Sequence, residues 1–125
     1  MKTLYILILF ILCSCFVNSK YQDKDKENKL LEEWRTDTLG CLKYRTKEKA
    51  LYIRDSLSLM GKSTAFIIDK LGVPNSRKKE PNSEILKYYF NTICRENVFI
   101  DSLDYCWIEM LIESDKVKNI EISCY

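Results

Sequence analysis

Six cysteines and no histidine set the chemistry open to this 125-residue chain. Without His, Ser-His-Asp and Cys-His catalysis are excluded, together with every His-containing metal site. Cys13 and Cys15 stand near the N-terminus; Cys41, Cys94, Cys106 and Cys124 follow further on. No two of these last four have the C-x₂-C spacing that a tetrathiolate zinc knuckle or a thiol–disulfide exchange centre uses. They read instead as a structural disulfide framework. The other candidates are acids: Asp101 and Asp104 flank Ser102-Leu103, and Asp37 lies between Thr36 and Thr38. Paired carboxylates serve acid–base catalysis, but acids in polar loop text read first as solvated side chains, and the chain is not expected to be an enzyme. Gly61-Lys62-Ser63 lacks the upstream Gly of a phosphate loop. No cofactor, metal or small-molecule substrate is expected. Arg77-Lys78-Lys79 is a short basic cluster in a loop, and a formal charge of +2 offers no broad field for nucleic acid.

The N-terminus reads as an export signal. Lys2 supplies the positive start, and Leu4 to Leu12 is an unbroken apolar stretch. It is too short for a bilayer, which takes about 20 residues, but it suits the core of a signal peptide. Leu12-Cys13-Ser14-Cys15 is similar to a bacterial lipobox, which implies a signal over 1–14 and a lipid on Cys15. The alternative is an ordinary secretory signal cut after Ser19, giving a soluble secreted protein. From Asn18 to Lys29 the chain alternates Lys with Asp or Glu and holds no aliphatic residue. No core can form there, so 15–33 is expected to be the lipidated Cys and a solvated, flexible tether. Leu30 to Trp34 reads as a short helical lead-in, with Trp34 packed on the domain.

A single domain over 34–125 is then expected. Thr46 caps a helix from Lys47 to Leu59, with Ala50, Ile53 and Leu57 on one stripe. Ser63 caps a second helix, in which Ile67, Ile68 and Leu71 face inward. Gly72 sits at a left-handed C-cap, and Pro74 bars continuation. Pro74 to Ser83 reads as a loop. From there the period is two: Glu84–Arg95, Asp104–Glu113 and Lys116–Tyr125 read as strands, with Ser114-Asp115 as the tight turn. Even positions carry Leu86, Tyr88, Phe90, Thr92 and Cys94, then Cys106, Ile108, Met110 and Ile112, then Ile120, Ile122 and Cys124. The fold class is therefore α+β, two helices on one face of a three-stranded antiparallel meander (ααβββ).

Setting Cys94 opposite Cys106 brings Lys87 across from Glu113 and Tyr89 across from Leu111. Setting Cys106 opposite Cys124 keeps parity in the next pair, although it faces Glu109 with Glu121. The outer strands lie about 10 Å apart and a disulfide needs Cα atoms within about 7 Å, which disfavours Cys94–Cys124. Two connectivities remain: Cys94–Cys106 with Cys41–Cys124, or Cys106–Cys124 with Cys41–Cys94. Closure of the loop from Glu96 to Leu103 favours the first.

Met60-Gly61-Lys62-Ser63, followed by a helix and Leu71-Gly72-Val73-Pro74, resembles the signature of the BamE/SmpA/OmlA-like domains of small bacterial lipoproteins. The aromatic strand Leu86-Lys87-Tyr88-Tyr89-Phe90 and the turn Asp115-Lys116-Val117 extend the match over roughly 57–122. The resemblance implies two helices on a three-stranded sheet, the layout also of each repeat of the β-lactamase-inhibitor-protein fold. It implies an envelope setting, on the outer membrane facing the periplasm. The block Trp34-x-x-Asp37-x-x-Gly40-Cys41-x-x-x-Arg45 and the four Cys depart from the family's outer-membrane-assembly members. The odd face of the sheet leaves Tyr89, Ile93, Trp107 and Leu111 to meet a protein partner, unless the lead-in around Trp34 folds over them. The expected function is a non-catalytic, membrane-anchored binding module, in envelope assembly or, alternatively, as an inhibitor or immunity-type protein that blocks an enzyme or toxin.

Overall fold

The computed structural model describes residues 22–100 and 104–125. The signal segment, Cys13, Cys15, Ser19 and Asp101 lie outside the described residues. The chain divides into two units, Met1–Leu30 and Leu31–Tyr125. In the first, residues 22–30 are helical and mostly exposed, where the sequence reading expects a solvated, flexible tether. Their alternating Lys and acidic residues suit a solvated helix as well as a coil. In the second unit residues 31–36 (α1) are helical, and Leu31 and Trp34 are buried. The domain therefore begins at Leu31, three residues before the expected boundary, because the apolar stripe of α1 does.

Two further helices follow, α2 (Lys47–Ser56) and α3 (Thr64–Leu71). Both start where the sequence predicts. The Thr46 side chain accepts the Lys49 N–H, and the Ser63 side chain accepts the Phe66 N–H. Gly72, at φ 83°, closes α3 and donates its N–H to the Ile68 carbonyl. Helix α2 stops three residues short of the expected Leu59; Leu59 is nonetheless buried.

The main sheet has four antiparallel strands in the order β1 (Ser76–Lys79), β2 (Ser83–Phe90), β5 (Cys106–Glu113), β6 (Lys116–Cys124). A separate two-stranded hairpin is made of β3 (Cys94–Arg95) and β4 (Val98–Phe99). The predicted three-stranded meander is thus present with two additions. β1 lies in the stretch expected to be a loop, and pairs Ser76 to Lys79 with Lys87 to Glu84. The first predicted strand ends at Phe90, because Asn91 adopts φ 50° and turns the chain. Beyond it Glu96 and Asn97, both at positive φ, form the two-residue turn of the β3–β4 hairpin.

Parity holds. Leu86, Tyr88, Phe90, Ile108, Met110 and Ile112 are buried with Ala50, Ile53, Ile67 and Leu71 of the helices. The Tyr88 hydroxyl donates to the Gly72 carbonyl at 2.9 Å, which places the end of α3 on this face. Trp34 packs against Phe90, ring centroids 6.4 Å apart, on the same side. The lead-in therefore does not cover the odd face with its indole.

The β5–β6 register is the predicted one, with Cys106 opposite Cys124 and Glu109 opposite Glu121. Each carboxylate of that like-charge pair has its own partner: Lys87 Nζ stands 3.0 Å from Glu109, and Asn119 Nδ2 donates to Glu121 at 2.6 Å. The β2–β5 register is offset by four residues from the prediction. Lys87 faces Glu109 and Tyr89 faces Trp107, rather than Glu113 and Leu111. With β2 ended at Phe90, Cys106 lies across from Phe90 and not from Cys94. The favoured connectivity is corrected accordingly: the disulfides are Cys41–Cys94 and Cys106–Cys124, with Cα separations of 5.5 and 4.0 Å. Near the β5–β6 turn a bulge between Leu111 and Ile112 shifts the register, so that Ile112 faces Val117 and Val117 is buried.

Candidate functional site

Of the acids singled out in the sequence, Asp37 has a structural setting. Asp37 is buried, and its carboxylate accepts the backbone N–H groups of Leu42 (2.9 Å), Tyr44 (2.9 Å) and Arg45 (3.0 Å). It holds the 37–45 loop in shape. Arg45, also buried, donates Nε to the Trp34 carbonyl at 2.9 Å. Its Nη1 reaches Asn75 Oδ1 at 2.7 Å and the carbonyls of Thr38 and Tyr89 at 3.2 and 3.3 Å. The guanidinium lies over the rings of Trp34 and Tyr88. Burial drives the Arg45 pKa down to about 10, against the opposing field of Asp37. Asn75 extends the sheet beyond β1: its Oδ1 accepts the Tyr89 N–H at 2.9 Å, and its Nδ2 donates to the Thr38 carbonyl at 2.6 Å. The block from Trp34 to Arg45 is thus a hydrogen-bonded brace, and it docks α1 and the Cys41 loop on the end of β2. Asp104 is exposed.

An open groove of about 790 Å³ lies at the turn end of the sheet and is lined by Thr64, Ser83, Glu84, Glu113 and Asp115 among others. Two of its carboxylates are engaged. Glu84 pairs with Arg77 and accepts from the Thr64 hydroxyl, and Asp115 accepts the Thr64 N–H. Among the described residues, no three His, Cys, Asp or Glu side chains come together as metal ligands. No helix among them is long and apolar enough to cross a membrane.

What the odd face does carry is an aromatic cluster. Tyr89 and Trp107 are direct cross-strand partners. Tyr105 stands at the centre, its ring 5.0 Å from Tyr89, 5.1 Å from Phe99, 5.6 Å from Trp107 and 6.3 Å from Tyr125. Phe99, brought over by the β3–β4 hairpin, also lies 5.4 Å from Tyr89. Lys87 Nζ sits 4.9 Å above the Trp107 ring, and the indole N–H is directed to Glu109 at 3.4 Å. Tyr89, Phe99, Tyr105 and Trp107 are half-buried and Tyr125 is exposed. Rings held by one another with one side still wet lose little rotamer freedom on contact with a partner, which favours binding. What this face can do is stack and bury apolar surface.

Of the four predicted contact residues, Tyr89 and Trp107 are joined in this cluster. Leu111 shares the face two pairs further along, opposite Ile85 and half-buried. Ile93 is not with them. The turn at Asn91 carries it off the sheet into a crevice with Lys43, Arg45, Thr46 and Thr92, where it is exposed. The prediction missed Phe99, Tyr105 and Tyr125. Parity alone reaches Tyr105 and Tyr125, both odd-numbered in the predicted strands; Phe99 depends on the hairpin and carries no periodic signal.

Against protein-family models, curated proteins and solved structures, the chain shows no match.

Proposed function

We propose that this protein is a lipid-anchored envelope protein that acts without catalysis, as a binding module for another protein. The observation that carries the reading is the aromatic cluster around Tyr105 on the face of the sheet turned away from α3. Aromatic residues dominate the energetically important centres of protein interfaces, and rings left half-open on a sheet face present the apolar surface that such centres bury. The lipobox-like Leu12-Cys13-Ser14-Cys15 supports the anchor, and the oxidised cysteine pairs support an exported setting. The resemblance of residues 57–122 to BamE/SmpA/OmlA-like domains supports a place in envelope assembly, on the outer membrane facing the periplasm.

The test is capture from detergent-solubilised membranes with the wild-type chain and with Trp107→Ala and Tyr105→Ala, followed by identification of what is retained. An envelope-assembly protein held by the wild type and lost by both variants supports the reading. A hydrolase or toxin held in the same way turns it into an inhibitor or immunity function. A partner held equally by all three chains removes the aromatic face from consideration. The intact mass of the membrane-fraction protein tests the anchor separately: a mass without acyl chains on Cys15 overturns it.

A further inference from the structure

The two edges of the sheet are built differently. β1 is four residues long and carries Arg77, Lys78 and Lys79, the short and charged form that discourages edge pairing. β6 is nine residues long. Its first part is covered: Val117 exchanges both backbone bonds with the 61–62 loop, through Gly61 N–H to the Val117 carbonyl and Val117 N–H to the Lys62 carbonyl, each 2.9 Å. The bonds of Val117 point away from β5. Further along, the Tyr125 N–H bonds to Tyr105 of the neighbouring chain segment at 2.9 Å. By antiparallel alternation Tyr125, Ser123, Glu121 and Asn119 bond inward to β5, and Ile120, Ile122 and Cys124 direct their N–H and C=O groups outward. The Cys106–Cys124 Cα separation of 4.0 Å agrees, because closely spaced pairs are those that do not bond to each other. Among the described residues nothing bonds to these outward groups. The stretch 119–125 holds no Pro and no Lys, and its single charged side chain is Glu121.

We propose that this edge is the contact between two copies of the chain, joined as antiparallel β6 strands about a two-fold axis through Ile122. That axis sets Ile122 against Ile122 of the second copy and Ile120 against its Cys124, so every outward backbone group meets an outward group. The two copies then share one continuous eight-stranded sheet, four strands from each. The side-chain pairing is self-complementary. On the core side, half-buried Ile120 and Ile122 meet apolar residues. On the aromatic side, Glu121 meets Ser123 and Asn119 meets Tyr125, and no two like charges stand directly opposite. Lys116 and Lys118 fall outside the paired stretch. The proposal does not rest on the partner-binding reading: it uses the outward backbone groups of the β6 edge, and shares only Tyr125 with the aromatic cluster.

Sedimentation equilibrium of the full chain in density-matched detergent, with Ser123→Lys and Ser123→Glu beside the wild type, tests it. Each substitution acts twice in the symmetric register, against the two Glu121 side chains. Cross-strand charge pairs of ordinary strength shift the dimer constant by about two- to thirty-fold, tighter for Lys and weaker for Glu. Ile122→Pro removes an outward donor without touching a bond to β5, and leaves a monomer; its melting temperature shows whether it folds. A wild type that stays monomeric at every concentration overturns the proposal. So does a dimer in which the Lys and Glu variants do not move in opposite directions.

Discussion

The backbone N–H of Arg45 bonds to the buried carboxylate of Asp37 at 3.0 Å, while the Arg45 side chain leaves that carboxylate to the loop and spends itself on four acceptors elsewhere. Asp37 shapes the loop, and Arg45 ties the loop to the sheet. Neither charge is exposed. Arg45→Met leaves the Trp34 and Tyr89 carbonyls without this donor and Asp37 without its compensating field. It is expected to cost about 3–5 kcal/mol, as for breaking a buried charge network. Arg45→Lys recovers only part of this, because an ammonium cannot span the fork. Asp37→Asn offers one oxygen where two accept three N–H groups, at about 1–3 kcal/mol. Urea denaturation of the three variants measures each.

The two disulfides close loops of different length, with sequence separations of 53 and 18. If they act by restricting the unfolded chain, replacing Cys41 and Cys94 by Ala costs about 4 kcal/mol, and replacing Cys106 and Cys124 about 3 kcal/mol. Differential scanning calorimetry of the two double variants should therefore rank the Cys41–Cys94 pair as the more costly to lose.

Gly40 and Gly61 both adopt left-handed backbone, at φ 73° and 76°. A Cβ on Gly40 meets Thr92 Oγ1 at 2.7 Å, and that hydroxyl is held by the Leu39 carbonyl at 2.9 Å; a Cβ on Gly61 meets nothing. Gly61→Ala should cost only the backbone penalty, about 1–2 kcal/mol. Gly40→Ala adds overpacking, about 1–3 kcal/mol more. Thermal melts of the pair separate conformation from collision.

Tyr88 gives a pH dependence. Burial pushes its phenol well above the ordinary value of 10, with Arg45 and Arg77 pulling the other way. A group whose pKa is raised by folding contributes stability that is complete below the unfolded pKa and is lost as pH rises through the folded one. Wild type and Tyr88→Phe should differ by a constant amount up to about pH 9, roughly the 1 kcal/mol of the bond to Gly72. Above pH 10 the wild type should lose that advantage progressively. Denaturation at pH 8 and pH 11 reads the change; a difference that grows in favour of the wild type contradicts it.

The legible parts of the fold were those written in local chemistry. Thr46, Ser63 and Gly72 mark helix ends by residue type, and the even positions of β2 and β5 mark a core by period. Both signals survive any tertiary context. β1 was not legible, because Ser-Arg-Lys-Lys has no apolar alternation and becomes a strand only by bonding to β2. The β2–β5 register depended on where β2 stops, and no Gly or Pro announces the turn at Asn91. Likewise Arg45 and Asp37 carry residue types that belong on surfaces, so their burial follows from the acceptors that the fold gathers around them. The aromatic face was half legible: Tyr89 and Trp107 follow from parity, whereas Phe99 arrives on a hairpin that the sequence pattern does not announce.

The bulge in β6 has a bearing on length changes. Pairs Leu111 with Asn119 and Ile112 with Val117 leave Lys118 as the supernumerary residue. Excising that one lysine would bring Val117 and Asn119 into adjacent, regular rungs, with Val117 still inward and its bonds to the 61–62 loop unaltered. Excising a neighbour further along, Glu121 for instance, would invert Ile122 and Cys124. One-residue deletions in this strand should therefore divide sharply, with the chain lacking Lys118 retaining a cooperative melt and the chain lacking Glu121 losing it.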